Sequence, residues 1–217
     1  MRHGGVQMVL RTISGLSFLL LLTITCQSQE AARKVIPVAV DEALGSNNVP
    51  NQLVFRDKYL RQAYTDAFAM LSEENACSSF YGGPRVAPKV LNEFIKAVKP
   101  GPLPPDVSLE MAGHVRYIRN SGTGVLYRLF ENAILNVDGS FYRHPIDHWQ
   151  RLPHEIGSFP SGSRSARALI LLHELAHLIP DSNGAWLIAD DGHDGWQSKE
   201  NTWRVQKVCL RTLRTLR

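Results

Sequence analysis

After residue 56, apolar side chains first recur with helical spacing. From Asp57 to Glu74, and again from Pro88, they fall at i, i+3 and i+4, which predicts two amphipathic helices, the second with a proline in its first turn. The predicted inward positions are Leu60, Ala63, Tyr64, Ala67, Phe68 and Leu71 in the first helix and Val90, Leu91, Phe94, Ile95 and Val98 in the second. The proline-rich residues 99–105 predict a stiff loop after them.

Residues 111–142 carry strand patterning instead. Polar and apolar side chains alternate over 114–119, and two further apolar runs occupy 125–130 and 133–137. Asp138-Gly139 is a hairpin signal before a short final strand. Together these features predict a small, mostly antiparallel sheet.

A nearly continuous apolar run at 168–179 predicts a buried central helix. Ser163 or Ser165 is suited to cap its N-terminus, and Pro180 ends it. With helices on both sides of the sheet region, the chain is predicted to have an α+β fold.

A last amphipathic helix is predicted to begin with Ser198 as its N-cap. Its predicted inward positions are Val205, Val208, Cys209, Leu213 and Leu216, and its basic positions are Arg204, Lys207, Arg211 and Arg214. Cations near a helix C-terminus complement the helix dipole, so we expect the basic side to be a solvated face.

The N-terminus has the composition of a secretory signal. Arg2 and Arg11 precede an apolar stretch at 13–24 that is short for a membrane span, although an uncleaved anchor is the alternative. Thr23-Ile24-Thr25-Cys26 resembles a bacterial lipoprotein box, which leaves lipidation of Cys26 open. The predicted segments are a signal peptide at 1–26, a flexible arm at 27–56 and one folded domain at 57–217.

Net charge and composition bear on whether the protein binds nucleic acid. The formal net charge of +4 includes Arg2 and Arg11, so the mature chain is only mildly basic. Since it also lacks a basic-aromatic motif, we predict no nucleic-acid binding. We expect a secreted or periplasmic monomer with no membrane span in its mature form.

Export changes the interpretation of the cysteines. Cys77 and Cys209 are the two cysteines beyond the predicted signal. In an oxidising compartment they most simply form one disulfide between an early helix and the last helix. The alternative is a pair of buried free thiols.

The central helix contains His173-Glu174-Leu175-Ala176-His177, a match to H-E-x-x-H. Four residues are a little over one helical turn, so both imidazoles leave the same face and can hold two corners of a tetrahedral zinc site. Glu174 can serve as general base toward a water molecule that zinc acidifies. The alternative is a core helix whose polar side chains are hydrogen-bonded to one another.

At these residues the chain resembles the zincin superfamily of zinc metallopeptidases. The resemblance implies a zincin-like fold, in which a small sheet packs on the H-E-x-x-H helix, and hydrolysis of peptide bonds. Over residues 168–217 the chain also resembles small exported bacterial proteins with predicted metallopeptidase activity. The residues that carry this likeness are HELAH, an Asp-Asp-Gly loop, and then Ser198, Asn201, Thr202, Val205 and Cys209.

A catalytic zinc site needs a third protein ligand. The resemblance favours Asp191, in the loop after the helix, with Glu200 and Asp190 as alternatives. Pro180 stands where the metzincin motif has glycine, which excludes that subfamily.

Other polar residues are secondary candidates. His193 and Tyr142 are candidates to contact the substrate oxyanion, a role that zincins give to histidine or tyrosine. Three more histidines lie in residues 143–155, but two prolines there favour a plain loop over a second metal site.

The sequence therefore predicts an exported zinc metallopeptidase that acts on a peptide or protein. His173, His177 and Asp191 would hold zinc, and Glu174 would activate water. The alternative is a non-catalytic envelope or binding protein whose zinc site is structural or lost.

Overall fold

The computed structural model describes residues 57–142, 155–191 and 195–216 and has an α+β fold. The helices are α1 (Lys58–Ser72), α2 (Ala76–Phe80), α3 (Ala87–Ala97), α4 (Arg164–Ala176) and α5 (Trp196–Leu213). The strands are β1 (Val98–Gly101), β2 (Leu109–Arg119), β3 (Leu126–Asn136), β4 (Glu155–Ile156) and β5 (Phe159–Pro160).

Helices α1 and α3 confirm the first two sequence predictions. The Asp57 carboxylate caps α1 by accepting from the backbone N–H groups of Tyr59 and Leu60 at 2.7 and 3.0 Å. Pro88 lies in the first turn of α3, where its missing N–H leaves no helical bond unmade. The predicted inward residues of both helices are buried in one core.

The segment predicted as a stiff loop after α3 begins with a strand. Residues Val98–Gly101 form β1, which runs parallel to β3 with Val98 opposite Ala133. Pro100 is tolerated because β1 lies at the edge of the sheet, where a missing N–H can face away from the ladder. The prediction of a loop was wrong here because pairing with a distant strand outweighed local proline content.

The main sheet is mixed, with strand order β1-β3-β2. Strand β2 is antiparallel to β3 over nine register pairs, while β1 is parallel to it over four, so the sheet predicted as mostly antiparallel is mixed. Residues 125–137, predicted as two strands, are largely one strand, β3. The register of β2 shifts between Ala112 and Val115 around Gly113, whose φ of 88° suits a bulge.

Asp138-Gly139 does not form the predicted hairpin. The buried Asn136 side chain donates to the carbonyls of Pro104 and Val107, each at 2.8 Å, and accepts from the Asp138 amide at 3.0 Å. These bonds tie the end of β3 to the loop after β1, and residues 137–142 form turns instead of a strand. The side chain of Asn136 therefore decides the path of the chain here.

Helix α4 is the centre of the molecule. It packs against α1 on one side and α5 on the other, while α3 packs against β3. Every residue from Ser165 to Ala176 is buried. Ser163 caps the helix, accepting from the Ala166 amide at 3.2 Å, which settles the choice left open between two serines. The packing of the sheet on the H-E-x-x-H helix, which the resemblance implied, stays a prediction.

Helix α5 begins earlier than predicted. Its N-cap is Gly195, at a φ of 67°, and the helix starts at Trp196, so Ser198 lies inside the first turn. The inward positions Val205, Cys209 and Leu213 are buried as predicted. The predicted basic side chains are all exposed to solvent: Arg204, Lys207, Arg211 and Arg214.

Cys77 and Cys209 form a disulfide between α2 and α5, as predicted. The bond closes a sequence separation of 132 residues, which in the chain-entropy description stabilises the fold by about 5 kcal/mol. A disulfide is consistent with an extracellular location.

Several predictions concern residues outside the described part of the chain. These are the signal peptide, Cys26, the arm at 27–56, the histidines at 144, 148 and 154, and His193. Among the described residues, no helix combines the length and the apolar character needed to cross a membrane.

Candidate metal centre

Helix α4 places His173 and His177 side by side on one face. Their Nε2 atoms are 3.2 Å apart, and both side chains are buried. The spacing of four residues predicts this arrangement, because it returns the side chain to nearly the same helical direction. His177 is the C-cap, so the pair lies at the C-terminal end of the helix.

Asp191 completes the group from the loop that precedes α5. Its Oδ2 atom is 3.0 Å from His173 Nε2, and its Oδ1 atom is 3.3 Å from His177 Nε2. The ligand atoms of the three residues all lie within 4.8 Å of one another. The structure therefore brings together the three residues that the sequence predicted as ligands.

The spacing of these atoms suits a metal ion. Nitrogen and oxygen ligands lie about 2.0–2.2 Å from zinc, so neighbouring corners of a tetrahedron are about 3.3 Å apart. The separations found here are 3.0, 3.2 and 3.3 Å. Two imidazole nitrogens and one carboxylate oxygen are donors that metal ions bind in proteins, and the group could hold a metal ion.

The chain returns to the metal centre through a short antiparallel turn. Pro180 pairs with Trp186, and the Leu187 amide donates to the Ile179 carbonyl at 3.0 Å. The Asp181 carboxylate accepts from the amides of Asn183 and Ala185 at 2.8 and 3.1 Å, which holds the turn closed. This reversal directs the following residues back toward the two histidines.

Arg128 of β3 holds both ends of the segment from His177 to Asp190, which leads back toward the two histidines. Its Nε donates to the His177 carbonyl at 2.7 Å, and its guanidinium bonds to Asp190 Oδ1, also at 2.7 Å. The guanidinium also lies 4.3 Å from the centre of the Trp186 ring. Sequence reasoning missed Arg128, because its role depends on contacts far along the chain and no local signal marks it.

The two alternative ligands lie elsewhere. Asp190 is engaged by Arg128, and its side chain is 80% exposed. Glu200 is exposed on α5, in the second turn of the helix as the structure has it, and not in the first. Neither residue belongs to the metal-ligand group.

Helix α5 supports the ligands through two neighbouring polar residues. The buried Asn201 side chain donates to Asp191 Oδ1 and to the Ala189 carbonyl, each at 2.7 Å. The Thr202 hydroxyl lies 3.0 Å from His173 Nδ1. Sequence reasoning named both residues only as part of a resemblance and assigned them no role.

The charges of the group are strongly coupled. Burial works against ionisation of Asp191, but hydrogen bonds with His173, His177 and Asn201 outweigh it and hold its pKa well below the usual range. Burial also works against charging of His173, yet its hydrogen bond to Asp191 and the charges of Glu174 and Asp191 raise its pKa. At neutral pH Asp191 is therefore a carboxylate anion.

Glu174 lies beside the ligands but does not join them. Its side chain is largely buried, with 9% of its surface exposed. Burial raises the pKa of this carboxyl group, while the charges of His173 and His177 act to lower it. Burying a carboxyl group is costly for stability, and a shifted pKa beside possible metal ligands favours a functional role over a structural one.

Tyr142, one of the two oxyanion candidates, lies at the other end of α4. Its ring packs edge to face against Tyr59, 6.2 Å between centres, and Tyr59 stacks on Arg167. Arg167 precedes His173 by six positions, or about 9 Å of helical rise. In the described part of the chain, Tyr142 makes no hydrogen bond or ring contact with the metal-ligand group.

Comparisons of the chain with protein-family models, with curated proteins and with solved structures find no match.

Proposed function

We propose that this protein is an exported zinc-dependent metallopeptidase that hydrolyses peptide (amide) bonds. The observation that carries the proposal is the convergence of His173, His177 and Asp191 next to a buried acid, Glu174. Two ligands come from one helix and the third from a separate segment held in place by other residues. This arrangement supports a site built for a metal.

Zinc is the metal proposed, because two imidazoles and one carboxylate are a common ligand set for catalytic zinc and leave a fourth position open. Bound there, zinc would supply Lewis acidity toward a carbonyl group and would lower the pKa of a water molecule. The disulfide between Cys77 and Cys209 supports a place outside the cytoplasm.

The protein's own groups have distinct roles in this proposal. His173 and His177 supply neutral nitrogen ligands, and Asp191 supplies the negative charge that offsets the ion. Glu174 takes the proton from the attacking water and passes it to the leaving amine, which requires a carboxyl pKa nearer to neutrality than usual. Burial of Glu174 acts in that direction. The proposed substrate is a peptide or protein, and the proposed active form is a monomer.

The test compares the wild type with Glu174→Gln and Asp191→Asn, two substitutions that keep side-chain shape. Metal content of the purified mature protein should be near one zinc per chain in the wild type and in Glu174→Gln, and strongly reduced in Asp191→Asn. Cleavage of a mixed peptide library should be lost in both variants, by about 100-fold or more for loss of the general base. The exposed Glu200→Gln serves as the matched control and should keep both zinc and activity.

Each failure has its own meaning. If Glu174→Gln retains full activity, Glu174 is not the base. If the wild type holds zinc but cleaves no peptide, the site is structural and the protein is a binding protein. If the wild type takes up no zinc when zinc is offered, the metallopeptidase proposal is wrong.

A further inference from the structure

The Thr202 hydroxyl has one proton, and its neighbours determine where that proton goes. Within α5 the hydroxyl donates to the Ser198 carbonyl at 2.8 Å. The same oxygen lies 3.0 Å from His173 Nδ1. Since its proton is already used, the oxygen can only accept from His173, and Nδ1 must therefore carry a hydrogen.

A hydrogen on Nδ1 determines what the other ring nitrogen can do. A metal ligand must be a neutral imidazole, in which only one nitrogen is protonated, so a hydrogen on Nδ1 leaves the lone pair of His173 Nε2 for the ion. Nε2 faces Asp191 and His177, whose ligand atoms are 3.0 and 3.2 Å away. His177 differs, because its Nδ1 is buried with no hydrogen-bond partner in the described part of the chain.

The orientation of the Asn201 side chain also follows from its hydrogen bonds. Its amide oxygen accepts from the Gln197 side chain at 3.1 Å, which turns the amide nitrogen toward the site. Both hydrogens of that nitrogen are then used, one by Asp191 Oδ1 and one by the Ala189 carbonyl, each at 2.7 Å. The carboxylate of Asp191 is thus held in place before any metal binds.

We propose that Thr202 and Asn201 are positioning residues that preorganise the metal centre, Thr202 by fixing the tautomer of His173 and Asn201 by orienting Asp191. This inference rests on the metal centre of the proposed function. Both residues act through ligands and touch no substrate. Their adjacency on α5 allows one helical turn to support ligands from two different segments.

The decisive variant is Thr202→Val, which keeps the branched shape of the side chain but cannot accept a hydrogen bond. We expect its zinc affinity, measured by competition with a coloured chelator, to fall about 10–100-fold, the usual cost of losing such a support. Thr202→Ser restores the hydroxyl and should restore affinity to within a few-fold of wild type. Thr212→Val is the matched control, since that α5 threonine donates to Cys209 O, not to a ligand, and should leave affinity unchanged.

A second readout separates positioning from a loss of packing. In imidazole NMR spectra of nitrogen-labelled, zinc-loaded protein, the Nδ1 hydrogen of His173 should exchange slowly with water in the wild type and in Thr202→Ser. It should exchange rapidly in Thr202→Val. Thermal unfolding of the metal-free proteins should show Thr202→Val and Thr212→Val to be destabilised to a similar extent.

The outcomes distinguish this inference from the function it rests on. If Thr202→Val binds zinc as tightly as the wild type and its His173 Nδ1 hydrogen still exchanges slowly, the positioning role is overturned while the zinc site stays intact. A wild type that binds zinc but cleaves nothing would remove the peptidase function and leave the positioning role to be judged by affinity alone. Failure of the wild type to bind zinc would overturn both.

Discussion

Each ring nitrogen of His173 faces its own partner. Nδ1 lies against the Thr202 hydroxyl, while Nε2 lies against Asp191 and His177. Because Thr202 and Asp191 both accept hydrogen bonds, the metal-free protein favours a proton on each nitrogen, in keeping with the raised pKa of His173. A metal ion at Nε2 would take the place of one of these protons.

We expect zinc affinity to rise with pH through the pKa of His173 and then to level off. Below that pKa the proton on Nε2 competes with the ion, and affinity should fall about tenfold per pH unit for one displaced proton. Since this pKa is raised, the competition begins at a higher pH than for an ordinary histidine. Asp191 adds nothing to this pH dependence, because its lowered pKa keeps it ionised over the same range.

Chelator competition from about pH 5 to pH 8, corrected for the chelator's own titration, measures this dependence. Release of a proton on zinc binding, seen in a weakly buffered solution, is the independent check. An affinity that stays constant over this range would show that His173 loses no proton when the metal binds.

At the scale of elements, residues 177–191 lead from the end of α4 back to the two histidines, where Asp191 meets them. The antiparallel turn around Asp181 reverses the chain, and Arg128 of β3 binds the segment at both ends. The Arg128 amide also donates to the Leu178 carbonyl at 3.0 Å, which connects β3 to the end of α4. Through Arg128 the sheet thus contributes a side chain and a backbone hydrogen bond to the site.

Replacing Arg128 with lysine should loosen this segment. Lysine keeps the charge but cannot bond to the His177 carbonyl and to Asp190 at once, as the planar guanidinium does. We expect a loss of about 1–3 kcal/mol in the free energy of unfolding, faster hydrogen exchange at the Leu187 amide, and weaker zinc binding. Arg116→Lys, on the exposed part of β2, is the control. Unchanged protection of Leu187 would mean that the turn alone holds the segment.

At the scale of the whole molecule, α4 is held by neighbours from distant parts of the chain. Arg164 pairs with Asp66 of α1 at 2.6 Å, and the Tyr81 hydroxyl donates to the Leu172 carbonyl, also at 2.6 Å. On the other side, α5 packs against α4 and is bonded to α2 through Cys77 and Cys209. Helix α5, which contacts Asp191 and His173 through Asn201 and Thr202, is therefore covalently bonded to α2.

Removing the disulfide should destabilise the fold as a whole. For the double variant Cys77→Ala and Cys209→Ala we expect a loss of about 2–5 kcal/mol, because the unfolded chain regains the freedom of a long loop. Denaturant unfolding measures the loss, and wild type under reducing conditions should unfold at a similar midpoint. If reduction leaves the midpoint of the wild type unchanged, the two cysteines are not bonded in solution.

Much of this architecture follows from local rules that can be applied to the chain without coordinates. Helical periodicity predicted α1 and α3, and a nearly continuous apolar run predicted α4. Ser163 was one of two stated candidates for the N-cap, and the four-residue spacing aligned His173 with His177. These features depend on interactions within a few residues. Such interactions are nearly the same in every fold, and a sequence pattern can therefore indicate them.

Features that depend on contacts between distant segments were decided by the tertiary structure, and the sequence pattern did not predict them. Local proline content argued against β1, yet pairing with β3 makes it a strand, and the turn after β3 follows the buried side chain of Asn136 and not the hairpin signal of Asp138-Gly139. Asp191 was preferred over Asp190 on resemblance alone. What separates the two is Arg128, since it binds one aspartate and leaves the next to face the histidines. Such choices are made by partners far along the chain, which no local window of sequence contains.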